Sequence, residues 1–246
     1  MSFIIFSAGL AVGSFLNVVI ARLATRQSIF WGHSRCPYCN HALSVADLIP
    51  LVSYIFLAGR CRYCKKLISW QYPAVELGTG LAFALVAFTF SDPFDLVFWL
   101  FFVASFVVIV TFDAAKQEIP QAIVWPLLGG ALWYVLLPFV IERNLAGAFN
   151  EIIAGLITGG LILFIVLITK EKAMGMGDVP IAALLGLLLG YPRGLYALVL
   201  AFVLGAVAGI TLISLRRAGL KTAVPFAPFL IAGLLIFVFF GSLMKF

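Results

Sequence analysis

The sequence predicts an all-α polytopic membrane protein of about eight transmembrane helices, with one small polar domain between helices 1 and 2. Two observations support this prediction. Of the 246 residues, 64% are hydrophobic and only 11% are charged, whereas soluble domains carry about 25% charged residues. Apolar runs of about 17–20 residues, the length that crosses a ~30 Å hydrocarbon layer, recur along almost the whole chain.

These runs define eight predicted spans. The first begins at Phe3 and is predicted to be a retained helix, because no basic residue precedes it and no small-residue cleavage site is evident. The spans are 3–20, 73–90, 96–112, 122–140, 149–169, 179–190, 195–215 and 225–244. We therefore expect a first transmembrane helix at 1–20, a polar domain at 21–72 and a helical bundle at 73–246.

Basic residues are distributed unequally among the predicted loops. Eight spans place both termini on one side, and an outer N-terminus places loops 21–72, 113–121, 170–178 and 216–224 in the cytoplasm. These loops contain 13 of the 16 Lys and Arg residues, namely Arg22, Arg26, Arg35, Arg60, Arg62, Lys65, Lys66, Lys116, Lys170, Lys172, Arg216, Arg217 and Lys221. The distribution follows the positive-inside rule. The net charge of +6 is therefore assigned to topology and anionic lipid, and no nucleic-acid partner is expected.

All four cysteines lie in the polar domain. They form two Cys-x-x-Cys pairs, Cys36/Cys39 and Cys61/Cys64, separated by 21 residues. Four thiolates at this spacing can surround one zinc ion tetrahedrally, and because that set leaves no open position, the predicted zinc is structural. A domain of about 50 residues buries only a small hydrophobic core, so a bound metal ion would add stability that the core cannot supply. The alternative is free or disulfide-bonded cysteines, and the reducing cytoplasm argues against disulfides.

Three of the ten acidic residues stand where solvation alone does not explain them: Glu76, Asp113 and Asp178. The others, including Glu118 and Glu171, are interpreted as solvated or helix-capping acids. Carboxylates within or next to membrane spans are costly, so their presence indicates function.

Asp113 and Asp178 adjoin predicted spans on the same membrane face. Asp113 follows an apolar run, and Asp178 precedes the run 179–190, whose 12 residues reach only about 18 Å. That is too short for ~30 Å of hydrocarbon, so we expect Asp178 on unwound backbone that lines a water-accessible cavity. Two spans separate the aspartates, which allows both carboxylates to meet at the cytoplasmic end of the bundle.

Two carboxylates held close together share a proton, because both cannot ionise cheaply. The ionised carboxylate can take a proton from water while the protonated one polarises a peptide carbonyl. This chemistry is that of an aspartic protease. The residues alone also allow a structural pair or an ion pathway in a transporter.

With these motifs in order, the sequence resembles the type IV prepilin peptidases, members of the GxGD class of intramembrane aspartic proteases. The resemblance extends over residues 13–233. The matching segments are 13–20 with Arg22-Leu23, 34–39, 48–54, 59–64, 68–69, 72–73, 75–77, Asp113 with Ile119-Pro120, Gly175-Met176-Gly177-Asp178-Val179, and Pro225-Phe226-Ala227-Pro228-Phe229-Leu230. Pro180 stands where the family usually has a lysine, Ala24 where it often has a proline, and Ala227 where it often has a glycine.

The resemblance implies a function. Asp113 and Asp178 would be the catalytic pair that cuts the short basic leader of type IV prepilins and pseudopilins at the cytoplasmic face of the bacterial inner membrane. Relatives with the four cysteines often also methylate the new N-terminus with S-adenosylmethionine. Glu76 and Gly13 are the candidate residues for that second activity, and for Glu76 a helix-dipole role is the alternative.

Two other protein classes share some of these features. An ion-coupled transporter with a zinc-stabilised domain should carry polar residues near the bilayer midplane in inverted repeats, whereas the acids here fall at helix ends. A membrane thiol oxidoreductase would need its cysteines in an oxidising compartment, which the predicted topology contradicts.

Overall fold

The computed structural model describes residues 2–28, 32, 34–142, 145–216 and 224–241. In these residues the secondary structure is helical, apart from two isolated β-bridges. The helices are α1 (Ser2–Ala24), α2 (Val52–Phe56), α3 (Gln71–Thr89), α4 (Pro93–Lys116), α5 (Gln121–Glu142), α6 (Leu145–Thr169), α7 (Asp178–Leu189), α8 (Arg193–Ser214) and α9 (Ala227–Phe240), with a 3-10 turn at Val45–Leu48. The all-α prediction is confirmed.

The count of eight spans is not confirmed. Each predicted span contains a helix, but within the described residues only six helices are long and apolar enough to cross a membrane. The two others are α7, with 12 residues, and α9, with 14 described residues. Residues 242–244 of the last predicted span lie outside the part that the structure describes.

The chain forms two compact units, residues 1–111 and 112–246. In the first unit α1 and α3 pack together as an antiparallel pair. A Cβ atom at Gly9 would lie 2.9 Å from the Cα atom of Gly80, and one at Gly13 would lie 2.8 Å from the Cα atom of Glu76. Residues further along α1 therefore contact residues nearer the start of α3, as in an antiparallel pair. Small residues allow this approach, which membrane helices depend on because lipid offers them no hydrophobic driving force.

In the second unit α7 is enclosed by other helices. It contacts α5, α6, α8 and α9, and most of its side chains are buried. A helix of 12 residues that is surrounded by protein need not match the bilayer thickness, because lipid does not have to satisfy its ends. This enclosure explains why α7 can be short, which its apolar sequence alone does not reveal.

In this unit α6 and α7 pack closely at Gly186. A Cβ atom there would collide with the hydroxyl of Thr158 and the carbonyl oxygen of Ala154. The same Thr158 hydroxyl donates a 2.7 Å hydrogen bond to the carbonyl oxygen of Ala182 on α7. The two helices are therefore held at a separation that one added methyl group would change.

Gly186→Ala is expected to destabilise the folded chain by about 1–3 kcal/mol, because the added methyl overpacks this contact. Gly160→Ala is the matched control, since no atom of the described residues lies within 4 Å of a Cβ there. The unfolding midpoints of both variants would be measured in the same detergent. Equal midpoints would show that the α6–α7 contact is looser than described.

Candidate active site and candidate metal centre

Asp113 lies in the last turn of α4. The helix stops at Lys116, and Gln117 adopts a positive φ of 55° that turns the chain away. Pro120 directly precedes α5, which begins at Gln121, and the fixed φ and missing N–H of proline suit a position at the start of a helix. The Asp113 side chain is 5% exposed.

Asp178 is the first residue of α7 and is held by a glycine turn. Its Oδ2 atom accepts a 3.3 Å hydrogen bond from the backbone N–H of Gly175, and its own N–H donates to the carbonyl oxygen of Gly175 at 3.1 Å. This reciprocal pair resembles a capping box, which satisfies free N–H groups at a helix start. Asp178 is 6% exposed, so its carboxylate has a defined and buried position.

The turn before α7 packs closely on the loop after α4. A Cβ atom at Gly177 would lie 3.0 Å from the Cβ and Cδ1 atoms of Ile119. The absence of a side chain at Gly177 therefore allows the two segments to approach each other. Asp113 and Asp178, which adjoin these segments, line the same cavity as a result. Gly175 is not crowded in this way, since the nearest described atom to a Cβ there is the Gly177 nitrogen at 3.9 Å.

Both aspartates line one cavity of about 490 Å³, a volume typical of ligand sites. The charge of Asp113 acts on Asp178 through this space. Other charged side chains in the lining are Glu118, Glu171 and Lys172. Among the described residues, the cavity wall thus holds four acidic groups and one basic group.

The Asp113 carboxylate is only partly satisfied. The backbone N–H of Ala227, at the start of α9, lies close to it. Its Oδ2 atom is buried and has no hydrogen-bond partner among the described residues. Buried polar atoms without partners are rare and mark places where water, a proton or a ligand is held. The cavity therefore holds an unpartnered buried oxygen of Asp113 and a second buried carboxylate, Asp178, and carboxyl groups in such surroundings tend to keep a proton.

The four cysteines come together in the first unit, as predicted. Their sulfur atoms all lie within 4.8 Å of one another, and the Sγ atoms of Cys36 and Cys64 are 3.9 Å apart. A tetrahedral zinc site with Zn–S bonds of about 2.3 Å requires sulfurs about 3.8 Å apart. The donor set and its spacing fit such an ion.

The two cysteine pairs share one backbone pattern. In the first, Cys36 N–H donates to the carbonyl oxygen of His41, and a bridge joins Arg35 to Ala42. In the second, these bonds recur 25 residues later, from Cys61 to Lys66 and from Arg60 to Leu67. Each pair is thus a short hairpin that presents its two thiols to the other hairpin.

Backbone donors favour ionisation of one of these thiols. Burial opposes the charged form of Cys36, but the backbone N–H groups of Cys39 and Tyr38, together with the thiols of Cys39 and Cys61, outweigh it and lower the pKa of the Cys36 thiol to about 7. Thiolate is the form that binds metal, so the lowered pKa of Cys36 favours cation binding at this position.

The two methyltransferase candidates, Gly13 and Glu76, lie in direct contact between α1 and α3. The Oε2 atom of Glu76 accepts a 2.8 Å hydrogen bond from the backbone N–H of Leu51. Asn17 lies on α1 one helical turn after Gly13, and its side-chain amide donates a 3.1 Å hydrogen bond to the carbonyl oxygen of Tyr72. The Asn17 Oδ1 atom is buried and has no partner among the described residues.

Some site residues do not stand out in the sequence. Glu118 and Glu171, which the sequence predicts to be solvated acids, are indeed exposed, yet both line the cavity. Their positions, one residue before Ile119-Pro120 and four residues before Gly175, could have suggested this. Nothing in the sequence indicates the Asn17 acceptor.

Comparison with known proteins identifies the family. The model of the Bacterial Peptidase A24 N-terminal domain matches residues 7–90, and that of the Type IV leader peptidase family matches residues 99–210. Both models describe peptidases, so the transporter interpretation has no support. No solved structure matches the chain.

Curated relatives cover nearly the whole chain, and each bears the name prepilin leader peptidase/N-methyltransferase. The protein of Stutzerimonas stutzeri is 33% identical over 254 residues, which is 92% of this chain and 86% of the relative. That of Aeromonas hydrophila is 33% identical over 263 residues, or 94% and 88%. That of Bacillus subtilis is 29% identical over 242 residues, or 97% and 94%. The chain therefore belongs to the type IV leader peptidase family.

Proposed function

We propose that the chain cleaves the leader peptide of type IV prepilins and pseudopilins at the cytoplasmic face of the bacterial inner membrane, with Asp113 and Asp178 as the catalytic pair. The observation that carries this proposal is the shared cavity: two buried carboxylates from distant segments line it together. Membership of the peptidase family supports the reaction class.

The proposed reaction needs only water and the two carboxylates. The ionised carboxylate takes a proton from water as the water oxygen bonds to the scissile carbonyl carbon, and the protonated carboxyl donates its proton to the carbonyl oxygen. The tetrahedral intermediate then collapses: the C–N bond breaks, the leaving amine receives the proton that was first taken from water, and one hydroxyl proton of the intermediate returns to the other carboxylate. The product carboxylic acid forms and the pair regains its starting protonation state. The unpartnered Oδ2 atom of Asp113 is suited to accept from that water.

The position of the cavity suits a substrate that enters along the membrane surface. A basic leader stays in the cytoplasm while the apolar helix that follows lies in the bilayer, so the scissile bond falls at the interface. Glu118 and Glu171 line the cavity and are exposed. We propose that they attract the basic leader, a role that the surrounding Lys and Arg residues cannot fill.

Glu118→Gln combined with Glu171→Gln is expected to raise KM for a basic leader by about tenfold with little change in kcat, because exposed charge pairs contribute about 0.2–1 kcal/mol each. The effect should shrink in high salt. Steady-state cleavage of a prepilin peptide measures both constants. A matched peptide with Gln in place of its leader Lys and Arg residues is the control. An equal loss with both peptides would contradict charge recognition.

We also propose that the chain methylates the N-terminus released by cleavage, as the names of the relatives suggest. S-adenosylmethionine would supply the methyl group to the free amine. Gly13 and Glu76 remain the candidates to hold it, and the unpartnered Oδ1 of Asn17 adds a buried acceptor next to them. A cationic sulfonium or an ammonium group is the kind of ligand that such acceptors fit.

Co-expression with a prepilin tests both activities in one measurement. Mass spectrometry of the pilin N-terminus should show loss of the leader and a gain of one methyl group. An intact leader would refute the peptidase proposal. A shortened but unmethylated pilin, also after incubation with labelled S-adenosylmethionine, would leave the chain a peptidase alone.

We further propose that the four cysteines bind one structural Zn²⁺, which stabilises a cytoplasmic subdomain at 21–72 between the membrane-embedded parts 1–20 and 73–246. The sulfur spacing supports a four-thiolate site. Such a site has no open coordination position, so the zinc would take no part in cleavage.

A further inference from the structure

The short helix α2, in the cysteine subdomain, has an apolar surface that the described residues leave exposed. Val52, Ile55 and Phe56 are 45%, 73% and 85% exposed. Trp70, next to Tyr54 with ring centroids 5.9 Å apart, is 75% exposed. Clustered exposed apolar side chains mark contact surfaces, and the position of α2 indicates what this surface contacts.

A hydrogen bond to α3 places the start of α2 beside a helix that is long and apolar enough to cross a membrane. The backbone N–H of Leu51, the residue before α2, donates to Glu76 at 2.8 Å. The 19 residues of α3 reach about 28 Å, so the whole helix is needed to cross ~30 Å of hydrocarbon. Glu76 lies five residues after the first residue of α3, about 7 Å along the axis. Leu51 is therefore held beside a membrane-embedded turn.

A second contact fixes the same segment to α1. The hydroxyl of Ser14 lies 3.4 Å from the carbonyl oxygen of Leu48. Ser14 is ten residues before the end of α1 at Ala24, about 15 Å along the axis. Two contacts, to two different helices that are long and apolar enough to cross a membrane, therefore hold the segment that leads into α2 against the pair α1 and α3.

The charges that follow α2 suit a lipid surface. The second cysteine hairpin begins four residues after Phe56 and carries four exposed basic side chains, Arg60, Arg62, Lys65 and Lys66. Arg62 is paired with Asp47 at 2.6 Å, so the net positive charge comes from Arg60, Lys65 and Lys66. Basic residues next to an apolar surface match the anionic headgroups above the acyl chains. Tryptophan and tyrosine, such as Trp70 and Tyr54, are enriched at this boundary.

We propose that α2 is a membrane-contact surface, with Ile55 and Phe56 inserted at the boundary between headgroups and acyl chains of the leaflet that faces the cysteine subdomain. The occupant of the surface is lipid. Insertion there fixes the height of the cysteine hairpins over the membrane. The inference does not depend on which reaction the chain catalyses.

Site-specific photocrosslinking in the full-length chain tests this proposal. Phe56 is replaced by p-benzoylphenylalanine, and the protein is reconstituted in vesicles of phosphatidylethanolamine and phosphatidylglycerol. Tyr38, an aromatic residue 58% exposed on the first cysteine hairpin, carries the same probe as the matched control. Ile55 serves as a second test position in case the Phe56 variant does not fold.

After irradiation, lipid adducts identified by mass spectrometry should be several times more abundant at positions 56 and 55 than at 38. Equal adduct levels at all three positions would overturn the proposal. Adducts to an added prepilin peptide in place of lipid would also overturn it and would make α2 a substrate-docking surface.

Discussion

Replacing either Asp113 or Asp178 with Asn is expected to lower the rate of leader cleavage by at least about 10³-fold, because each variant removes one of the two proton-transfer groups. Asn has nearly the same size as Asp, so the packing of the buried side chains should persist. In the Asp178→Asn variant, the amide oxygen could still accept the Gly175 N–H bond that holds Asp178 in place. The cleavage rate would be measured with purified protein in detergent or vesicles.

Glu118→Gln is the matched control for both aspartate variants. It makes the same chemical change in the same cavity, but on an exposed side chain that takes no part in the proposed proton transfers. At saturating substrate its kcat should stay close to that of the unchanged enzyme, while its KM for a basic leader should rise. Cleavage retained in either aspartate variant, with membrane insertion verified, would refute the catalytic pair.

Removing the metal is expected to unfold the cysteine subdomain. Zinc binding to four thiolates supplies about 10–16 kcal/mol of folding free energy in small domains, and residues 21–72 are too few to replace it with a hydrophobic core. Metal analysis should find one zinc per chain, and Cys61→Ser, at a position only 4% exposed, should lose it. Proteolysis should then cut within 21–72 while the membrane helices stay intact.

Tyr63→Phe is a suitable control for the cysteine variant, since it changes a neighbouring exposed residue without removing a thiol. It should retain zinc and protease resistance. A metal-free preparation with four titratable thiols and an intact subdomain would show that the cysteines are not a structural metal site.

Much of the fold could be predicted because membrane helices are long apolar runs. Each of the eight runs contains a helix, and the paired Cys-x-x-Cys spacing led to the observed cluster. The number of spans could not be predicted reliably for a physical reason. Apolar composition does not distinguish a helix in lipid from one such as α7, which is enclosed by protein.

Residues of the candidate site could be identified from the sequence where their residue type is costly in a membrane, and not where packing alone places them. Asp113 and Asp178 stood out because membrane spans exclude carboxylates. The proximity of the Ala227 N–H to Asp113 involves a backbone group, and the sequence does not indicate the position of a backbone group. The bond from Leu51 to Glu76 likewise joins residues 25 positions apart, and it gives Glu76 a structural role that its sequence position did not suggest.

The most direct test of the central claim is the single-turnover cleavage rate of the Asp113→Asn/Asp178→Asn double variant, compared with the two single variants. Groups that act as one unit lose their effect together. The double variant should therefore cleave about as slowly as either single variant. If the two losses multiply instead, the aspartates act independently, and the shared cavity is not one catalytic site.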